Sequence, residues 1–287
     1  MRLLFGIKSL TSFRGGSERA FSDVSSELSH RGHEVIIVTF DNSEDELLYP
    51  LNNKIELIKM EIGVAKNRTS VQDFFKRVIF LRKIVKKTKP DVVVGFMSSI
   101  YILFSFALIA TKYRLISSEH TVPEYYKNRK IEFFLIIISG LMSKKITVLS
   151  EKVKNLYPKI LQNRMIVIPN SVSMRKLKKN YSSNNIILSI GRLVESKDHE
   201  TLIKAFAMLH KDYPDWQLRI IGDGRLKGYL SELVDSYSIA NKVHFSKSIS
   251  NIEEEYSNAS FFVIPSHYES FGLVTIEAMA CELPVIG

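Results

Sequence analysis

The stretch that decides the fold is Phe262–Glu277, FVIPSHYESFGLVTIE. A short apolar run ends at Pro265-Ser266, and the residues from Val274 onwards have the composition of a helix. The Phe-Gly turn therefore lies at the carboxyl end of a strand, where open α/β sheets bind ligands. Backbone amides at such a helix start are free to hold an anion. Two glutamates, Glu269 and Glu277, bracket the turn, and we interpret the segment as a ligand site.

Short strands and helical stretches alternate along the rest of the chain, which predicts an α/β protein with parallel, doubly wound sheets. The predicted strands are Leu3–Ile7, Val35–Phe40, Ile55–Met60, Val92–Val94, Arg114–Ser117, Ile146–Leu149, Ile186–Ile190, Leu218–Ile221, Val243–Phe245 and Phe261–Ile264.

The alternation is interrupted once, by a polar and basic stretch rich in turn formers. We interpret residues 174–185 as a linker between a first Rossmann-like domain over 1–173 and a second over 186–287. The chain ends as a further strand begins at Val285-Ile286, so we expect the second domain to be incomplete.

The net charge of +10 is unevenly distributed. Residues 1–180 hold 31 basic and 16 acidic side chains, whereas residues 181–287 hold 9 and 14. A basic first half predicts an anionic partner, either nucleic acid or anionic lipid. No zinc-finger spacing or RNA-binding motif is present, so lipid is favoured over nucleic acid. The single cysteine, Cys281, excludes an internal disulfide and fits a reducing cytoplasm.

Two segments bear on the membrane. Val92–Thr111 is uncharged and long enough to span a bilayer, but a strand followed by a buried or interfacial helix accounts for it better. Residues 71–89 place apolar side chains at helical spacing among lysines and arginines. This pattern predicts docking to an anionic membrane surface, or an ordinary helix with a solvated basic face. The apolar side chains concerned are Phe74, Phe75, Val78, Leu81 and Val85.

Several motifs follow one another along almost the whole chain: Gly15–Arg19, Ile168–Val172, Gly191-Arg192 with Lys197, Ile221–Gly224 and the two glutamates. In this order they resemble the landmarks of the retaining glycosyltransferases of family 4, group 1. That family has two Rossmann-like domains, known as the GT-B fold. The resemblance implies transfer of a sugar from a nucleotide-diphospho-sugar, with UDP expected as the nucleotide.

Arg192 and Lys197 follow a predicted strand at its carboxyl edge, where a guanidinium and an ammonium can both contact phosphate oxygens. The resemblance implies that they clamp the diphosphate next to Gly191. It also implies that Glu269 lies near the donor sugar and that Glu277 accepts hydrogen bonds from the ribose. The turn residues expected to offer backbone amides to the donor are Phe271, Gly272, Leu273 and Val274.

In the first domain the resemblance places Gly15 and Gly16 beside the phosphates and His120 near the reaction centre. It assigns Asn170 to the donor-binding cleft. His120, Arg192, Lys197 and Glu269 are thus the predicted catalytic residues.

Neither an Asp-x-Asp motif nor a metal-ligand cluster occurs in the sequence, so we expect a reaction without a metal or other cofactor. The expected acceptor is a glycan or polyprenyl-linked sugar of cell-surface polysaccharide synthesis. The expected location is the cytoplasm, including the inner face of the membrane. A non-catalytic nucleotide-sugar-binding or scaffold protein and a sugar-nucleotide epimerase remain as alternatives.

Overall fold

The predicted alternation of strands and helices forms two separate parallel sheets in the computed structural model. The structure describes residues 1–12, 15–65, 69–172, 184–247 and 252–287. It divides into two units, Met1–Asn170 and Ser171–Gly287, which are described one at a time. Most of the predicted linker, residues 174–183, lies outside the described residues, so the linker remains a prediction.

The first unit holds a seven-stranded sheet in the order β3-β2-β1-β4-β5-β6-β7, with every pair parallel. Its strands are β1 (Arg2–Gly6), β2 (Glu34–Thr39), β3 (Glu56–Lys59), β4 (Val92–Phe96), β5 (Leu115–Ser118), β6 (Lys145–Val148) and β7 (Met165–Val167). Its helices are α1 (Gly16–His30), α2 (Val71–Thr88), α3 (Ser98–Ala107), α4 (Lys130–Met142), α5 (Glu151–Leu156) and α6 (Lys159–Gln162), with a 3₁₀ turn at Pro123–Tyr126.

The second unit holds a five-stranded parallel sheet in the order β10-β9-β8-β11-β12. Its strands are β8 (Ile186–Ile190), β9 (Gln217–Ile221), β10 (Val243–Ser246), β11 (Phe261–Val263) and β12 (Val285–Ile286). Its helices are α7 (His199–Leu209), α8 (Lys227–Ser236), α9 (Ile252–Asn258) and α10 (Leu273–Ala280), with a 3₁₀ turn at Glu195–Lys197. The predicted fold class is therefore confirmed.

The strand order reverses once in each sheet, between β1 and β4 in the first unit and between β8 and β11 in the second. At such a reversal the loops after two neighbouring strands turn away to opposite sides and leave a crevice at the carboxyl edge. All predicted strands are found with shifts of one or two residues at their ends. The crevices therefore lie beside the residues singled out above.

The uncharged segment Val92–Thr111 forms β4 and the buried helix α3, which confirms the prediction of a strand and a helix. No helix among the described residues combines the length and the apolar character needed to cross a bilayer.

The predicted membrane-facing side of α2 requires a correction. Leu81 and Val85 are buried, and Phe74 and Val78 pack against the same core of the first unit. This row of apolar side chains is the face that covers the sheet, as in the alternative interpretation of the helix. Of the five predicted apolar residues only Phe75 is exposed.

Arg77 of α2 is also buried rather than solvated. Its guanidinium donates to Ile62 O and to Thr69 Oγ1 and lies 3.8 Å from the centre of the Phe40 ring. Burial lowers the pKa of the Arg77 side chain. The guanidinium nevertheless stays charged and makes the hydrogen bonds just described. One of the basic residues in the predicted membrane-docking segment 71–89 therefore packs in the core of the first unit instead.

Candidate functional site

In the second unit the loop after β8 carries the two predicted phosphate ligands. Gly191 directly follows the strand, the Arg192 side chain is exposed, and Lys197 closes a 3₁₀ turn. Asp198 then caps α7, accepting a hydrogen bond from Thr201 N at 3.3 Å. The loop thus presents a guanidinium and an ammonium at the carboxyl edge of the sheet.

The loop after the neighbouring strand β11 carries the predicted Phe-Gly turn. Gly272 has φ of +71°, a left-handed conformation that favours glycine, and it directly precedes α10. Its carbonyl already accepts Thr275 N at 2.9 Å, so the amides of Leu273 and Val274 lie at the start of the helix. The turn therefore places these backbone amides where an anion can bind to the start of a helix. Phe271 immediately precedes the turn.

Lys197 and Glu269 join these two loops. The Lys197 ammonium donates to Glu269 Oε1, and the Ser266 hydroxyl donates to the same oxygen at 2.9 Å. A second link comes from His267, whose backbone N–H donates to Ser196 O at 3.1 Å. Residues far apart in sequence therefore meet at the strand-order reversal of the second sheet.

Glu277 lies deeper than the other predicted ligands. It is buried in α10, and the Tyr256 hydroxyl of α9 donates to its Oε2 at 3.0 Å. This hydrogen bond orients the carboxylate from behind. The sequence alone did not identify Tyr256 as its partner.

The Ile221–Gly224 landmark packs against the loop of residues 191–197, which we call the phosphate loop after its predicted role. Gly191 N donates to Ile221 O at 3.0 Å, and Leu193 N donates to Asp223 O at 2.9 Å. A Cβ on Gly222 would overlap the Gly191 carbonyl oxygen, and one on Gly224 would overlap the Leu193 carbonyl. Both glycines are therefore required for close backbone contact with the loop that carries Arg192.

His199, the first residue of α7, is a buried residue that sequence reasoning missed. Neither ring nitrogen has a hydrogen-bond partner among the described residues. Burial, and then the Lys197 charge, lower its pKa to about 4, while the nearby backbone of Gly191 and Arg192 partly opposes the shift. The imidazole is thus neutral at physiological pH directly behind the phosphate loop. Its position two residues after Lys197 was the available signal.

In the first unit the loop after β1 is fastened by Asp41 at the end of β2. The buried Asp41 carboxylate accepts the Ser9 hydroxyl, Leu10 N at 2.8 Å and Thr11 Oγ1 at 2.7 Å. Beyond this loop Gly15 caps the fifteen-residue helix α1, which begins at Gly16. The predicted glycine pair therefore lies at the strand-order reversal of the first sheet. Residues 13–14 lie outside the described residues.

His120 lies beside this reversal, two residues beyond β5. Its ring stacks on Phe96 at the end of β4, with centroids 4.1 Å apart. The Thr147 hydroxyl donates to Ser118 Oγ at 2.8 Å, and Ser118 Oγ is hydrogen-bonded to His120 Nε2 at 2.9 Å. The other ring nitrogen, Nδ1, is buried and has no partner among the described residues.

Burial lowers the pKa of His120 to about 3, so the ring is neutral at physiological pH. A neutral imidazole whose Nδ1 has no partner among the described residues can form a hydrogen bond with a ligand, but it carries no charge to the site. Asn170 lies half-buried at the end of this unit. Its predicted role stays a prediction.

Glu119, next to His120, is another buried residue to which the sequence assigned no role. Its carboxylate accepts the Tyr101 hydroxyl of α3 and Thr121 N at 2.9 Å, and it borders a small internal cavity together with Tyr157. Burial is the main cause that raises its pKa to about 7. The sequence could not show this because Tyr101 lies on another element.

The structure groups the predicted residues at two sheet edges. Arg192, Lys197, Glu269 and the Phe-Gly turn share the edge of the second sheet, with Glu277 behind them. Across the described ranges no group of three or more His, Cys, Asp or Glu side chains is placed to hold a metal ion.

Two family models match the chain. The model of glycosyltransferase family 4 matches residues 14–176, and that of the group 1 glycosyl transferases matches residues 172–287. The chain therefore belongs to the group 1, family 4 glycosyltransferases, as its motifs predicted.

Three known proteins illustrate the similarity. One from Campylobacter jejuni, GalNAc-alpha-(1->4)-GalNAc-alpha-(1->3)-diNAcBac-PP-undecaprenol alpha-1,4-N-acetyl-D-galactosaminyltransferase, is 30% identical over 99% of this chain and 78% of its own. The amylovoran biosynthesis glycosyltransferase AmsD of Erwinia amylovora is 27% identical over 95% of this chain and 76% of its own. A TarM variant of S. aureus, solved with fondaparinux, alpha-GlcNAc-glycerol and UDP, shares the fold with a TM-score of 0.81. It is 14% identical, and the match covers 99% of this chain and 85% of that one.

The backbone contact behind the phosphate loop predicts a strong asymmetry between two glycines. Gly222→Ala should lower the free energy of unfolding by about 2 kcal/mol or more, because its Cβ would overlap a backbone carbonyl. Gly228→Ala, in α8 with open space around the site, should leave stability unchanged or raise it by up to ~1 kcal/mol. Urea denaturation of both variants measures the difference, and equal stabilities would contradict the packing described.

From the raised pKa of Glu119 we expect a distinct dependence of stability on pH. Its pKa is raised on folding, so the native state holds this proton more tightly than the unfolded state. The group therefore stabilises the fold at low pH, and this contribution is lost as the pH rises from about 4.5 towards about 7. Glu119→Gln should remove that loss.

The measurement is the difference in the free energy of unfolding between Glu119→Gln and wild type, taken across this pH range. It should shift in favour of the variant as the pH rises. Subtracting the two curves cancels the opposite contributions of His120 and His199, whose lowered pKa values make the fold lose stability as the pH falls below about 6.5. A difference that does not change with pH would show that Glu119 does not titrate in this range.

Proposed function

We propose that the protein moves a sugar from a UDP-sugar, with retention of the anomeric configuration, to a glycan or polyprenyl-linked acceptor in cell-surface polysaccharide synthesis. The observation that carries this proposal is the pairing of Lys197 with Glu269 across β8 and β11. It brings a cation for the leaving diphosphate and an acceptor for sugar hydroxyls to one sheet edge. Membership of the glycosyltransferase family supports transfer rather than isomerisation.

Arg192 and Lys197 would bind the two phosphates and stabilise the charge that grows on the leaving group. The bond between the anomeric carbon and the diphosphate oxygen breaks, and a bond from the acceptor oxygen to the same face of that carbon forms. The acceptor proton passes to a leaving phosphate oxygen. Two cations on one loop meet the charge requirement of this step, which supports a reaction that does not depend on a metal.

The carboxylates and the turn would fix the donor. Glu269, held by Lys197 and Ser266, would face the sugar. Glu277, oriented by Tyr256, would accept hydrogen bonds from the ribose hydroxyls. The amides of Leu273 and Val274, behind Gly272, point from the start of α10 to a phosphate or sugar oxygen.

In the first unit His120, in the tautomer that carries its proton on Nδ1, would donate a hydrogen bond to a sugar hydroxyl. The neutral ring suits a donor of hydrogen bonds better than a base, because a base with a pKa of about 3 takes up protons poorly. Gly15 and Gly16 at the start of α1, together with Asn170, complete the proposed set of donor-binding residues.

The nucleotide and the acceptor are inferred from relatives. The TarM variant was solved with UDP. The Campylobacter relative is named for an undecaprenol-linked acceptor, and AmsD for biosynthesis of the polysaccharide amylovoran. A lipid-linked acceptor places the proposed reaction at the inner face of the cytoplasmic membrane, where anionic lipids would attract a basic chain.

Removing the Lys197 ammonium tests the proposal. Lys197→Ala should weaken UDP binding by about tenfold and slow transfer by about 10²- to 10³-fold, since one charge-stabilising contact to the leaving group is lost. Lys204→Ala is the matched control, because Lys204 forms an exposed ion pair with Glu200 on α7. It should change neither quantity.

The measurements are thermal shift with UDP and transfer from labelled UDP-sugars to a lipid extract. Binding without transfer to any acceptor would indicate a non-catalytic binding protein, and an isomerised donor would indicate an epimerase. Either result would overturn the proposal, as would equal losses in the two variants.

A further inference from the structure

The helix α4 exposes apolar side chains to an unusual extent. No charged residue occurs between Glu132 and the end of the helix at Met142. Ile131 is 80% exposed and Phe134 is 60% exposed. Leu141 and Met142 are also exposed, and Ile138, at the same helical spacing, is half-buried. We refer to Ile131, Phe134, Ile138, Leu141 and Met142 as the α4 outer face.

The side of α4 that packs on the protein is also largely apolar. It buries Ile136, Ser139 and Gly140 and places Phe133 against the rings of Tyr126 and Tyr157. A helix on the surface of a globular protein normally shows polar residues to water, whereas a helix that is apolar on all sides is normally buried. The apolar outer face of α4 therefore indicates that it is covered by an apolar partner.

Basic residues stand at both ends of this helix. Lys127, Arg129 and Lys130 are exposed at its start, and Lys144 and Lys145 are exposed just after its end. Among the described contacts, Arg129 pairs with Glu132 at 3.4 Å and stacks over the Tyr125 ring. The apolar face is thus bordered by cations, the arrangement of helices that lie in an anionic membrane interface.

The adjoining helices extend the same pattern. α3 packs against both α2 and α4, so these three helices form one layer on the sheet of the first unit. The exposed side chains of α2 include Val71, Phe75 and Ile79, spaced one turn apart, and lysines at Lys76, Lys83, Lys86 and Lys87. This exposed row shares only Phe75 with the row predicted by the sequence.

We propose that the α4 outer face inserts into the boundary between headgroups and acyl chains of an anionic bilayer, with the helix lying in the membrane plane. The flanking lysines and Arg129 would contact lipid phosphates. The face lacks the hydrogen-bonding side chains that give a protein interface its specificity, and the cations at both ends match an anionic surface. The inference does not depend on the proposed sugar transfer.

The test uses the full chain with vesicles of phosphatidylglycerol and phosphatidylcholine, or of phosphatidylcholine alone, at low salt. Wild type should sediment with the anionic vesicles. Ile131→Ser with Phe134→Ser should weaken this binding by at least tenfold, because two large apolar side chains no longer enter the bilayer. Met208→Ser is the control, since Met208 in α7 is 79% exposed and Ile131 is 80% exposed. Its binding should equal that of wild type.

A second measurement separates insertion from adsorption by charge alone. Phe134→Trp should retain binding, and its fluorescence should be quenched by brominated acyl chains beyond the response of wild type, which contains Trp216. Replacing Lys127, Lys130, Lys144 and Lys145 with Gln should weaken binding at low salt by about fivefold or more for each lysine removed.

Several outcomes would overturn the proposal. These are wild type that stays in solution with anionic vesicles, serine variants that bind as wild type does, and a Phe134→Trp variant whose fluorescence brominated lipid quenches no more than that of wild type. A wild-type dimer that the serine variants convert to a monomer, without vesicle binding, would assign the face to a second copy of the chain instead. Because vesicle binding is measured without donor or acceptor, failure of the proposed transferase activity would leave this result unaffected.

Discussion

The reversal of strand order between β8 and β11 is the constraint on which the second unit depends. Because the two strands are parallel neighbours, their carboxyl ends lie side by side and their loops leave in opposite directions. Lys197 follows one strand and Glu269 follows the other, so only this topology brings the two charges together. Gly222 and Gly224 then allow the backbone after β9 to lie directly against the loop after β8, which carries Lys197.

The first unit repeats the constraint with different chemistry. Its reversal, between β1 and β4, is bordered by the start of α1 and by His120, which burial keeps neutral. The predicted site residues of the second unit thus include full charges, whereas His120 in the first unit is neutral. In the proposed transfer, where charge grows on a leaving diphosphate, the electrostatic contribution would come mainly from Arg192 and Lys197.

Much of this arrangement follows from short-range sequence features. The features that the sequence did not determine depend on contacts between elements far apart in the chain. Strands such as β2 and β4 consist of apolar runs bounded by turn residues, and the Phe-Gly turn carries its own conformational requirement at Gly272. The apolar row of α2 left two interpretations open, because a helix that covers a sheet and one that covers a bilayer have the same spacing of apolar residues. Burial of Glu119 depends on contacts with other elements, which spacing along the chain does not reveal.

The Lys197–Glu269 pair contributes little to the stability of the fold in itself. The two side chains are only 21% and 27% exposed, and in such a pair the Coulomb attraction is largely offset by lost solvation and side-chain entropy. Core packing and the backbone hydrogen bonds of the loops would hold the second unit together without this pair. In the proposed transfer the position of the two groups matters more, since an ammonium already held at the sheet edge would need little rearrangement when a phosphate binds. Preorganisation of this kind would lower the cost of binding and of charge development, which would account for a charged pair at a place where stability alone does not require one.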